Sequence, residues 1–333
     1  MLRAPSRSPF YVVLLAVVAA VWAIPSAGAQ ERAMARPLWA GAWAAAGDGG
    51  GAGQHLRLEP GRATWSYPGK QFPEFYRLGT AGKHVQLERW GHLRKLQLRV
   101  EGDRLTVLEG DKSTTFERLA DVPEELMLLP YDLPDPEPLD AETVEFIGQD
   151  LLAREAEDQR VRMAGRTSGY TPELQKEMGR VDEDNTEFVR SLIQELGWID
   201  AERFGRRTAE AAFLIVQHTS DMRLMHTALP RIEADVKAGR LGGQSFALMY
   251  DRFQLNHGYL QRYGSQLATL KDGESVLMPL EDPDNVDQRR KEMGMGPLAE
   301  YLAYFQEEGD PPVRSLAERL KGGARAEPAS ADR

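Results

Sequence analysis

The chain carries six histidines and no cysteine, which limits its chemistry at once. Thiol catalysis and thiolate zinc sites are excluded. HExxH, Walker, GxSxG, dinucleotide and EF-hand signatures are also absent from the sequence. What remains is polar residues at the ends of apolar stretches. Gln217-His218 closes the run from Thr208, in which Ala209 to Val216 is apolar nearly all round except for Glu210. An imidazole there would act as general acid or base at the floor of a cleft. The other reading is a His that caps its helix by bonding loop carbonyls. A second cluster is Gln261-Arg262-Tyr263-Gly264-Ser265-Gln266. Either the Tyr263 hydroxyl and Gln266 amide orient a polar substrate, or the stretch is a helix stop at Gly264 whose side chains satisfy backbone groups.

Asp251-Arg252 falls within a long helical pattern. Neighbours on a helix point about 100° apart and cannot pair with each other, so an ion pair to another helix is expected. In the stretch Asp282 to Arg290, Asp282 reads as a helix cap, Pro283 as its first turn, and Asp287 as an acid favouring the dipole's positive end. Arg289 and Arg290 could instead grip a carboxylate or phosphate with two prongs. His226 and His257 raise the idea of a metal centre with His218, but no carboxylate motif supports it. No metal and no cofactor is therefore assigned. His55, His84 and His92 read as surface residues, and Trp65, Trp90, Phe72 and Phe75 as core of the β-rich part rather than a sugar platform.

The elements that must position these residues follow from periodicity. Residues 1–29 read as a secretory signal: Arg3 and Arg7, the apolar run Tyr11 to Ile24, and the small-x-small Ala27-Gly28-Ala29 before Gln30. The run is shorter than the roughly 20 residues a permanent span needs, so an extracytoplasmic protein without a membrane span is expected after cleavage. Residues 44–54 are Gly/Ala-rich and read as flexible. From 37 to 120 short alternating segments predict six or seven strands: Leu56–Leu58, Ala63–Tyr67, Val85–Trp90, Leu96–Val100, Leu105–Leu108 and Thr114–Leu119. Turn residues such as Pro68-Gly69 and Gly102-Asp103 separate them. A small antiparallel meander results, barrel or sandwich. Residues 121–139, with five prolines among acids, read as a stiff extended spacer rather than a core element.

From 140 to 322 the period is helical. Val144, Ile147, Leu151 and Leu152 open one helix, Thr171-Pro172 starts another, and Gly197 stops it. Thr208–His218 is the central helix, Gln244–Tyr263 a long one, and Asp282-Pro283 and Gly296-Pro297 start the last two. Residues 323–333 read as a disordered tail. The fold class is thus α+β as separate domains: a small β meander, then an all-α domain. There are 51 acidic against 41 basic residues, two of the latter in the leader, which disfavours a nucleic-acid partner.

Two resemblances add to this. Trp39-Ala40-Gly41-Ala42-Trp43 resembles the entrance of lipocalin-like barrels, although the segment reads as too short for a full eight-stranded ligand-holding barrel. Residues 140–305 resemble a bacterial family catalogued only as a domain of unknown function. The likeness rests on Asp158-Gln159-x-x-Arg162, Gly197-Trp198, Gln217-His218, Leu229-Pro230, Asp251-Arg252, Tyr263-Gly264-Ser265-Gln266, Asp287-x-Arg289-Arg290 and Pro297-Leu298. The chain departs from it at Thr219, where Ala is usual, and at Ile199, where Pro is usual. It implies an all-helical fold and a shared site for Gln217, His218, Tyr263 and Gln266. The expected function is binding of a small polar ligand or a protein partner through a helical cleft, with Gln217, Tyr263, Gln266, Asp251, Arg252, Asp287 and Arg290 as its binding residues. The alternative is a hydrolase-like enzyme with His218 as acid or base, assisted by Asp158 or Asp287.

Overall fold

Apolar residues at every second position make a sheet that is wet on one face and dry on the other. In the computed structural model, which describes residues 37–46, 52–70, 72–81, 84–270, 274–306 and 313–321, that sheet closes on itself. Eight antiparallel strands run in sequence order: β1 Gly41–Ala45, β2 His55–Glu59, β3 Arg62–Ser66, β4 Glu74–Ala81, β5 His84–Arg89, β6 His92–Glu101, β7 Arg104–Glu109 and β8 Lys112–Leu119. Closure comes from β1 pairing with β8, Trp43 opposite Arg118. The signal-like segment 1–29, the tail 323–333 and residues 47–51 of the Gly/Ala-rich stretch lie outside the described residues.

Eight strands fit, contrary to the expectation from length, because β1, β2 and β3 are five residues each and the turns are tight. The strands that periodicity missed are β1 and β4, where alanine, glycine and charged residues dilute the alternation. The interior is filled by the chain's own side chains: Trp43, Leu56, Leu58, Leu87, Leu105 and Phe116 are fully buried in one cluster. Arg118 lies over the Trp43 ring at 4.0 Å and donates to the Leu38 and Ala40 carbonyls. The barrel resembles lipocalin-like folds only in this general arrangement.

The helical region comprises α1 Ala141–Ser168, α2 Pro172–Leu196, α3 Ala201–Phe204, α4 Arg206–His218, α5 Met222–Lys237, α6 Gly243–Asn256, α7 Val286–Glu292, α8 Leu298–Ala303 and α9 Leu316–Lys321. Asp140 and Thr171 cap α1 and α2 through their side chains, which relieves orphan N–H groups. The apolar α4 packs against α1, α2, α3 and α5, as a helix without a wet face must. Pro230 sits inside α5 without ending it. A carbonyl of the preceding turn, that of Thr227, is taken by Arg231 at 2.7 Å. A three-stranded sheet that periodicity did not reveal is built from β9 Leu267–Thr269, β10 Ser275–Leu277 and β11 Arg314–Ser315. Among the described residues no helix is long and apolar enough to cross a membrane.

The long helix expected to reach Tyr263 ends instead at Asn256. Gly258 is the reason: its φ is +73°, and a Cβ there would lie 2.6 Å from the Tyr76 carbonyl carbon and oxygen. The chain passes too close to the barrel wall for any side chain. Around this point Phe75 packs against the His257 ring at 4.6 Å, tilted by 46°, Trp90 Nε1 donates to Asn256 Oδ1 at 2.8 Å, and Arg62 donates to the Tyr259 hydroxyl. Phe75 and Trp90 therefore serve the seam between barrel and helices, whereas Trp65 belongs to the barrel core.

The Pro-rich stretch is extended but is not a free spacer. Leu126 is buried, and Leu128, Tyr131, Leu133 and Leu139 pack on the helical core. Polar contacts pin it along α5. Thr227 Oγ1 accepts from the Tyr131 N–H at 2.7 Å, Arg223 Nε donates to the Leu129 carbonyl at 2.9 Å, and the Tyr131 hydroxyl donates to Asp221 at 2.7 Å. Prolines deprive the stretch of backbone donors, and α5 side chains bond the Leu128 and Leu129 carbonyls.

Candidate functional site

Four helices bring charged side chains together at the carboxyl end of α4. Asp158 and Arg162 are one turn apart on α1 and so share a face. Asp182 comes from α2, His218 from the last turn of α4, and Arg252 from α6. Asp158 is buried, with a side chain only 1 % exposed. Its Oδ1 lies 2.9 Å from His218 Nδ1, and its Oδ2 accepts from Gln159 Nε2 at 2.8 Å. Arg162 Nη1 approaches the same Oδ1 at 3.1 Å without the alignment of a hydrogen bond, so that contact is Coulombic. Arg162 Nη2 donates to Asp182 Oδ1 at 2.8 Å.

A carboxylate on Nδ1 fixes the imidazole with Nδ1 as donor and turns Nε2 outward. The His218 side chain stays 16 % exposed, and its Nε2 makes no hydrogen bond among the described residues. Burial raises the Asp182 pKa above the usual carboxylate value, and the Asp158 charge acts in the same direction, against the pull of Arg162. Burial also lowers the Arg252 pKa, with Arg162 adding to the effect. Arg252 Nη1 donates to the Gln217 carbonyl at 2.8 Å, capping a free acceptor at the negative end of α4. Behind the cluster, Thr186 donates to Thr219 at 2.9 Å. Thr219 thus ties α2 to the turn after His218.

The remaining expected site residues form a different network. Asp251 pairs with no arginine among the described residues, contrary to the ion pair expected of it. Its carboxylate accepts from the backbone N–H groups of Arg262, Tyr263 and Ser265 at 2.6–3.0 Å and from the Ser265 hydroxyl at 2.9 Å. Gln261 Nε2 donates to the Gln266 and Met278 carbonyls, and its Oε1 accepts from the Gln266 N–H. Gln266 Nε2 donates to the Leu248 carbonyl. Arg290 is buried and donates to the carbonyls of Tyr263 and Gly296. Asp287 Oδ1 accepts from the Leu298 N–H at 2.7 Å. Asp282 does not cap a helix through its side chain; its carboxylate accepts from Asn285 and Arg289.

Loop 261–266 is therefore a knot of buried side chains satisfying backbone groups. Gly264 allows it, with φ +67°. Of the residues expected at one site, Gln217, His218 and Arg252 gather with Asp158; Asp251, Tyr263, Gln266 and Arg290 serve the knot; and Asp287 holds the Leu298 N–H. Asp251 and Arg252 point to opposite duties because adjacent helical residues diverge. Asp182 was missed by sequence reasoning. Its one available signal is the spacing Asp182, Thr186, Val189 on α2, a polar entry to an otherwise apolar stripe. His226 bonds the Leu128 carbonyl and, with His257, packs against the Phe253 ring, whereas His218 pairs with Asp158. Among the described residues no group of three or more His, Asp or Glu could hold a metal.

Comparison with curated proteins finds no match. The family comparison does find one, and it takes in every member of the His218 cluster, from Asp158 to Arg252. Residues 146–310, the greater part of the helical region, match the model of DUF6624, a family of unknown function.

Proposed function

We propose that the helical region binds a small polar ligand at the carboxyl end of α4, with His218 Nε2 as its central contact. The carrying observation is the His218–Asp158 pair, in which a buried carboxylate orients an imidazole whose other nitrogen is unspent. Structural histidines commonly spend both nitrogens or bury the ring. Gln217 at the same helix end supplies an amide for hydrogen bonding. The test is a thermal-shift screen of small carboxylates, phosphates, sugars and amides against wild type and His218→Gln. A compound that stabilises the wild type and not a well-folded variant supports the reading. Equal stabilisation of both proteins by every hit contradicts it.

A second reading is favoured by the same Asp contact: His218 as general acid or base. Nε2 would take a proton from water as it attacks a polarised centre, and the protonated ring, stabilised by Asp158, would return that proton to the leaving group. Turnover of chromogenic ester or phosphoester substrates that is lost in His218→Gln would establish it. We also propose that the chain is exported, on the strength of the leader-like residues 1–29. Amino-terminal sequencing of protein secreted by a bacterial host should then begin at Gln30. A chain that retains Met1 in the cytoplasm would contradict export.

A further inference from the structure

We propose that the ligand at the end of α4 carries an oxyanion, phosphate-like or carboxylate, gripped by Arg252 with Arg162 and His218 beside it. This deepens the reading above and rests on it. A guanidinium offers five N–H donors in a planar fork, and Arg252 spends one nitrogen, Nη1, on the Gln217 carbonyl. No carboxylate of the described residues lies within ion-pair distance of it, although its neighbour Arg162 holds both Asp158 and Asp182. Its remaining nitrogens make no hydrogen bond among the described residues and are not sealed off from solvent. The side chain is largely buried, and Arg162 stands near enough to oppose its charge. A mostly buried cation whose acid partner, Asp182, is not in ion-pair contact with it and is already bonded to Arg162 is costly, and an anion that accepts two parallel N–H bonds relieves that cost.

The arginines elsewhere in the fold sharpen the contrast. Arg290 is equally acid-poor, but two carbonyls and the Tyr301 ring enclose it. Arg190 and Arg94 are each matched by carboxylates. Arg252 differs in holding the carbonyl of Gln217, the residue just before a histidine whose Nε2 is also unspent. Its fork and His218 Nε2 together suit a group with several acceptor oxygens.

Inorganic phosphate is the probe, titrated into the full chain at ionic strength held constant with sodium chloride. The wild type should gain thermal stability with phosphate and show a perturbed His218 ring signal by NMR. Arg252→Gln should weaken phosphate binding at least tenfold, Arg252→Lys by less, and the exposed Arg206→Gln not at all. Should Arg252→Gln fail to fold, Arg252→Lys and the His218 signal carry the test. A phosphate response that is the same in the wild type and in both Arg252 variants, or absent from the wild type, overturns the proposal. If neutral polar compounds perturb His218 while phosphate and acetate do not, the site stands and its anionic character is refuted. If nothing perturbs His218, both readings fall together.

Discussion

Acidification from pH 7 to pH 5 should loosen the seam between barrel and helices through one residue, His257. Its ring lies 3.9 Å from Phe253 and 4.6 Å from Phe75, centroid to centroid, with Nδ1 2.6 Å from the Phe253 carbonyl. Nε2 is buried without a hydrogen-bond partner. Burial pushes the pKa down to about 3; the Phe253 carbonyl opposes this, and the charges of His226, Arg62 and Arg89 add to it. The unfolded chain takes up this proton near pH 6.5. Between the two values the unfolded state binds a proton that the native state refuses, so stability rises with pH across that window. It is complete above the unfolded pKa and is lost progressively as pH falls towards the folded one. A shift of that size places about 2 kcal/mol of the loss between pH 7 and pH 5. The assay is urea unfolding at both pH values, followed by tryptophan fluorescence, for wild type and His257→Gln. The variant starts less stable, but its own loss between the two pH values should be smaller by about 2 kcal/mol. His226, whose pKa burial also lowers, is present in both proteins and cancels. Equal losses in the two proteins would refute the reasoning, because His257 would then titrate alike folded and unfolded.

Asp158→Ala removes the partner of both His218 and Arg162 from a buried position, and should cost about 3 kcal/mol in urea unfolding; a loss near zero would mean the pair is not formed. Gly258→Ala forces a Cβ to within 2.6 Å of the Tyr76 carbonyl at positive φ, and should lower stability by about 2 kcal/mol or more. The same variant should open the joint to limited proteolysis before either part unfolds. Asp251→Ala strands three backbone N–H groups, each worth about 1–3 kcal/mol when buried unpaired, so this variant should be largely unfolded at room temperature by circular dichroism. Trp90→Phe keeps an aromatic ring but removes the indole N–H and its bond to Asn256, which should lower the melting temperature by a few degrees without changing the phosphate response.

Parts of this architecture are legible in single stretches of sequence. Thr171-Pro172 and Gly197 mark the two ends of α2 because capping is local chemistry. Thr208–His218 announces a buried helix by lacking a wet face. Alternation in β2, β3, β6 and β7 marks a half-buried sheet. Weaker signals misled where composition was diluted: β1 is alanine-rich, and β4 mixes charge with glycine. The helix assigned up to Tyr263 kept its apolar pattern past Asn256, but the break there is imposed by the barrel wall at Gly258. Leu126 and Tyr131 read as spacer residues among prolines, and only the folded chain reveals where they pack: the 124–126 turn lies against β2 and β3, and Tyr131 against α5.

The candidate site divides along the same line. Residue types alone excluded thiol chemistry and required Asp251 and Arg252 to part company, but left His218 between a capping and a catalytic reading, and it was the family resemblance that favoured a site there. Which partners they found was decided in three dimensions. Asp158 stands 60 positions from His218, and Asp182 reaches the cluster only because α2 packs beside α4. Asp251 faces a loop whose N–H groups need a carboxylate, not an arginine. Periodicity and capping act over a few residues and are therefore written in the chain itself. The pairing of buried charges depends on which helix faces meet, and that is settled by packing across the whole core.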